Sequence, residues 1–103
     1  MKLSISMKTR DGLAFAEGYY TKEETIVKAG RKVSKTFKAG EKAFKYREDP
    51  KLVDEQGNIL RDCAFDNPSI AAQFVNGNYS NGYRVWKVDG KNLGRYLEEQ
   101  GLK

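Results

Sequence analysis

The chain has 103 residues, 39% of them hydrophobic, a net charge of +5, one cysteine and no histidine. That length and apolar content describe one folded domain, expected to span residues 1–103, and not a disordered chain. A lone cysteine excludes an intrachain disulfide and any CxxC pair, and the lack of histidine removes the ordinary general base near neutral pH and the commonest metal ligand.

The N-terminal MKLSISMKTR lacks the continuous apolar core of a signal peptide. No apolar run approaches the roughly 20 residues that cross a bilayer, so a cytoplasmic protein with no membrane partner is expected. Leu3, Ser4, Ile5, Ser6 and Met7 alternate with the period of a half-buried strand, and Asp11-Gly12 marks a turn. Residues 13–21 read as a second strand, with Leu13, Phe15 and Glu17 on one face. Gly18 disfavours a helix there, whereas Tyr19, Tyr20 and Thr21 favour a sheet. The β-branched run Thr25-Ile26-Val27-Lys28 is expected to pair antiparallel with it and to break at Gly30.

Val33 to Ala39 fits either a weak strand or an irregular excursion. From Glu41 the pattern is helical, with Ala43, Phe44 and Arg47 on or near one face, and it stops near Asp49 because Pro50 restricts the residue before it. Asp49 as N-cap and Pro50 at the first helical position can restart a short helix that buries Leu52 and Val53 and ends at Gly57. Asn58-Ile59-Leu60 and Cys63-Ala64-Phe65 read as short strands or extended segments.

The plainest element begins at Asn67, which can cap the first turn, with Pro68 supplying a fixed φ where no amide partner is needed. Ile70 with Phe74 and Ala71 with Val75 then stack into an apolar face, and Gly77 ends the helix. Asn81-Gly82 reads as a turn, residues 83–88 as a strand, and Asp89-Gly90 as a hairpin turn returning through Lys91 to Leu93. A last helical turn is expected through Tyr96 and Leu97. The fold class is α+β: a small antiparallel sheet packed against one clear helix, at about 67–76, and one or two weaker helices.

The sequence contains no P-loop, dinucleotide fingerprint, zinc spacing, EF-hand or nucleophile elbow. Cys63, beside Ala64-Phe65, suits a small buried residue, and Trp86 suits a core anchor beneath the 67–77 helix. Asp62, Asp66 and the pairs Glu23-Glu24 and Glu98-Glu99 read as solvated surface. No catalytic residue, metal or cofactor is expected, and the chain is not expected to be an enzyme.

Charge is uneven. Residues 1–47 hold 12 Lys/Arg against 5 Asp/Glu, a balance of +7, whereas residues 48–103 come to −2. Within 31–47 seven cations face only Glu41. Such a block makes a field that attracts a polyanion; it also suits a solvated face that keeps a small protein soluble. Tyr79 and Tyr83 flank Ser80-Asn81-Gly82. A loop there either presents a ring to a base, with Arg84 on a phosphate, or packs over the helix.

The stretch FDNPSIAAQFVNGNYSNGYRVWKVDGKNL, residues 65–93, resembles the family called domain of unknown function 4357. The likeness is carried by Phe65, Pro68, Ser69, Ala71, Ala72, Gly77, Asn81, Gly82, Trp86, Lys87, Gly90 and Leu93. Gly12 to Gly30 resembles that family's opening, so the likeness covers about 12–97 and is most specific at 65–93. Asn67 stands where the family has serine, which retains capping, and Ala29-Gly30-Arg31 replaces a Gly-Ser pair. The family is similar to the RAMA domain of restriction and adenine-methylase systems, which implies an accessory module in nucleic-acid processing with no catalytic residues to carry over. Together these readings imply binding of DNA or RNA through the basic 28–47 segment. Lys28, Arg31, Lys32, Lys35 and Lys38 would contact phosphates, with Tyr83 and Arg84 at a second edge. The alternative is a protein-interaction or homodimerisation module that uses an open sheet edge or the tyrosine-bearing loop and binds no nucleic acid.

Overall fold

The computed structural model describes residues 2–101. β1 (Leu3–Lys8) and β2 (Phe15–Tyr20) pair antiparallel, with Ile5 opposite Gly18 and Met7 opposite Ala16. The turn between them is held by Asp11, whose carboxylate accepts from the Thr9 hydroxyl at 2.6 Å and the Leu13 amide at 2.9 Å. Strand alternation sends Ile5, Met7, Ala16 and Gly18 to one face, where all four are buried. β3 (Thr25–Val27) adds beyond β2 and β4 (Cys63–Phe65) beyond β3. On the other side β5 (Lys87–Val88) joins β1, and β6 (Lys91–Asn92) joins β5. The result is a six-stranded sheet in the order β4-β3-β2-β1-β5-β6.

Among the described residues four helices accompany it: α1 (Glu41–Arg47), α2 (Pro68–Asn76), α3 (Gly82–Val85) and α4 (Leu93–Glu99). α2 forms as its local signals require. The Asn67 side chain accepts from the Ile70 amide at 2.9 Å, and Gly77 adopts φ +79° at the other end. A side chain at Gly77 would also meet the Thr36 carbonyl oxygen at 2.0 Å, so the position excludes one twice over. α2 lays Ala71, Ala72, Phe74 and Val75, all fully buried, against the β2–β4 side of the sheet. Phe65 bridges the layers, with ring centroids 5.1 Å from Phe74 and 4.4 Å from Tyr46 of α1. Trp86, Leu93 and Leu97 complete the core toward β5 and β6. The architecture is the expected α+β arrangement of an antiparallel sheet and several helices.

Two local expectations are corrected. Residues 83–88 are not a strand: 82–85 form a helical turn and only Lys87–Val88 pair in the sheet. Asn81, expected in a turn, caps that helix, its side chain accepting from the Tyr83 amide at 3.0 Å. The restarted helix at Asp49 is a single turn, with the Leu52 and Val53 amides on the Asp49 carbonyl. Residues 33–39 take the irregular course, meeting the segment that follows α2 through an isolated bridge from Lys38 to Asn78.

Candidate nucleic-acid interface

The register that buries Ile5 and Met7 turns Ser4, Ser6 and Lys8 of β1 to the opposite face, beside Tyr19, Glu17 and Phe15 of β2. Ile26 of β3 lies opposite Tyr19, Ala64 of β4 opposite Ile26, and Lys87 of β5 opposite Ser6. None of these side chains is buried, and none belongs to the core. The sheet therefore has one face under helices and one open face, which carries two aromatic rings.

Cations border those rings. The Lys2 ammonium lies 4.1 Å from the Tyr19 ring centroid and that of Lys28 5.3 Å, while the Arg31 guanidinium lies 5.4 Å from the Phe15 centroid. Arg84 and Val85 close one end of the face, where they line a groove of about 410 Å³ with Ser6, Lys8, Phe15 and Lys87. Glu17 is the one carboxylate among the strand residues of β1, β2, β3 and β5 on this face, and Arg31 Nε holds its Oε1 at 2.7 Å. Asp62, at the entry to β4, accepts from the Ala29 amide at 2.8 Å.

The structure divides the residues expected to bind nucleic acid. Residues 28–32 run on beside β2, the Lys28 amide donating to the Glu17 carbonyl and that of Lys32 to Phe15, which brings the Lys28 and Arg31 side chains to the open face. Arg84 joins them from α3. Lys32, Lys35 and Lys38 are exposed elsewhere. Lys32 bridges to Asn58, and its charge helps hold Asp54 below the ordinary carboxylate range. Lys35 acts likewise on Asp11 and lines a groove with Asp54 and Glu55. Lys38 lies beside the end of α2, where its amide donates to the Gly77 carbonyl. Tyr83 packs edge-on against Tyr20 with centroids 6.5 Å apart, and Gly94 backs its Cβ.

Arg47, the last cation of the sequence block, is structural. Its guanidinium donates to the Ser34 carbonyl at 2.6 Å and the Phe74 carbonyl at 2.8 Å, on the last turn of α2. Burial pushes its pKa down to about 10, which leaves it charged at neutral pH. A cation at a helix C-terminus also opposes the partial negative charge of the final carbonyls.

Lys2, Lys8, Phe15, Tyr19 and Lys87 are the open-face residues that sequence reasoning did not single out. Strand alternation already sets Phe15 with Glu17; the missing information was which face the helices cover. Among the described residues no group of three or more Asp, Glu, Cys or His side chains gathers where it would hold a metal ion. No helix among them is long and apolar enough to cross a membrane.

No curated protein and no solved structure matches the chain. Among protein families, a match extends over residues 5–99, from the middle of β1 to the end of α4. This chain belongs to the family described as a domain of unknown function, DUF4357.

Proposed function

We propose that this protein is a non-catalytic, cytoplasmic accessory module that binds nucleic acid through the open face of its sheet. The charge balance of that face carries the reading. Lys2, Lys8, Lys28, Arg31, Arg84 and Lys87 stand on it or at its rim, and Glu17 is already paired with Arg31. A surface of this kind draws in a chain of phosphates and releases the condensed counterions. Contacts to phosphate position the nucleic acid and supply affinity without reading its sequence. Lys28, Arg31 and Arg84 keep in this proposal the role expected of them, whereas Lys32, Lys35 and Lys38 are outlying positions. The kinship with the RAMA domain, drawn from the pattern of residues 65–93, belongs to the same proposal.

Titration of labelled DNA and RNA oligonucleotides between about 50 and 200 mM salt tests it, each phosphate contact adding roughly 0.7–0.9 to the salt slope. Four to six contacts give a slope of about −3 to −5. Reversing charge at Lys8 and Lys87 together (Lys8→Glu, Lys87→Glu) should weaken binding by about tenfold or more, and the Lys35→Glu, Lys38→Glu pair by less than about threefold. Undetectable binding to every oligonucleotide, or affinity indifferent to salt, ends the reading.

A further inference from the structure

We infer that the nucleic acid this face takes is single-stranded, with one base stacked on Phe15 and another on Tyr19; the inference rests on the reading just proposed and names its substrate. Both rings leave β2 on the open side, four residues apart, which sets them about 13 Å from each other along the strand. That is nearly four times the roughly 3.4 Å repeat of one nucleic-acid strand, so the two rings receive separate bases. The nucleotides between them are free to turn their phosphates to the surrounding lysines. Ile26 opposite Tyr19, and Ala64 beyond it, extend an apolar floor under the second base.

A duplex gives no use to these rings. Its base faces are stacked inside, and a protein meets only the groove edges and the phosphates. An unpaired base offers a π-face whatever its identity, and a sheet face bearing aromatic side chains suits it. Basic residues alone would serve either form; the aromatic pair favours the single strand.

The cations over the rings compete with the bases, and magnitudes decide between them. An exposed cation–π contact shifts an equilibrium by about 2- to 5-fold. A base stacked on an aromatic side chain contributes about 5- to 150-fold. An ammonium displaced from Tyr19 also gains a phosphate, so Lys2 and Lys28 lose little when the base arrives. Arg31 stays near Phe15 because Glu17 holds it at 2.7 Å, and its planar guanidinium can itself lie against a base.

The test is fluorescence anisotropy with a labelled twelve-nucleotide oligothymidine, free and annealed to its complement, titrated at several salt concentrations between about 50 and 200 mM. The wild-type protein should bind the free strand at least tenfold more tightly than the duplex. Phe15→Leu and Tyr19→Leu keep apolar bulk and remove the π-face. Each should cost about 5- to 150-fold on the single strand, change duplex binding by less than twofold, and leave the salt slope as it was. Circular dichroism verifies the fold of each variant, and the wild-type comparison of strand against duplex stands whether or not the variants fold. Equal or tighter binding of the duplex overturns the inference, as do folded leucine variants that bind oligothymidine like the wild type; the basic-face reading survives both. Salt-dependent binding to neither form ends both.

Discussion

The indole of Trp86 donates from Nε1 to the carbonyl oxygen of Pro68 at 3.0 Å, a buried bond that ties the end of α3 to the first turn of α2. Two neighbours share the work. The Gly82 amide donates to the Ser69 hydroxyl at 3.0 Å, and the Trp86 amide to the Gly82 carbonyl at 3.1 Å. A side chain at Gly82 would come within 2.1 Å of the Pro68 backbone, so α3 fits against α2 only with glycine there. Family-like residues Pro68, Ser69, Gly82 and Trp86 thus form one physical unit.

Trp86→Phe should therefore cost more than a buried ring exchange. The lost hydrogen bond contributes about 0.5–1.5 kcal/mol, and the space left by the indole adds to it. Trp86→Ala should cost about 3–5 kcal/mol. Urea midpoints at unchanged m-value check both, and a Trp86→Phe midpoint equal to the wild type would show the bond to be incidental.

How far the fold was readable from sequence follows from the range of the forces involved. The helix at Pro68–Asn76 was readable at both ends because Asn67, Pro68 and Gly77 act on their own backbone. Residues 83–88 misled because Tyr83, Val85 and Lys87 alternate as a strand would. What overrides that alternation is contact with Pro68, Ser69 and Gly94, more than ten residues away or on another element. The candidate site shows the same division. A run of cations from Arg31 to Arg47 looks like one patch, yet the chain turns between Arg31 and Lys38 and delivers them to different surfaces. Alternation set Phe15 with Glu17 and sheet propensity put Tyr19 in the same strand, but the importance of both rings depends on α2 packing against the other side of β2.

Arg47 offers a test that separates a structural cation from a binding one. Lysine keeps the charge but ends in a single compact ammonium, which cannot reproduce the fork that reaches the Ser34 and Phe74 carbonyls together. Arg47→Lys should lower stability by about 1.5–3 kcal/mol, the contribution of a hydrogen bond to a charged group. Affinity for nucleic acid should stay within twofold of wild type. A variant of normal stability and tenfold weaker binding would move Arg47 to the interface.

Cys63 lies in β4, 2% exposed, and burial pushes its thiol up to about 11, with Asp62 and Asp49 adding to the effect. At pH 8 only about one molecule in a thousand carries the reactive thiolate, and that one is covered. Ellman's reagent should label the native protein slowly, at a rate set by opening of the β3–β4 edge, and the urea-unfolded protein at once. Rapid labelling of the native state would show that edge to be loose.

Acid should destabilise the fold through its turn carboxylates. Asp54 accepts from the Asn58 side chain at 2.9 Å, the Asn58 amide at 2.8 Å and the Gln56 amide at 3.0 Å, and these bonds hold its carboxyl below the ordinary range. Asp11 is lowered by the Thr9 hydroxyl and the Leu13 amide, and Glu99 by Lys91 and Arg95. In each case the unfolded chain binds its proton at higher pH than the folded one. The stabilisation is therefore complete above about pH 4–5, where both forms are ionised, and is lost as pH falls through the lowered folded values. The urea midpoint should stay flat from pH 7 to 5 and drop below pH 4. Asp54→Asn, which retains an acceptor but no charge, should be less stable than wild type at pH 7. Its profile should be shallower, the two curves converging at the acid end. Parallel curves would mean that the Asp54 charge contributes nothing and that the loop is held by the shape of its turn.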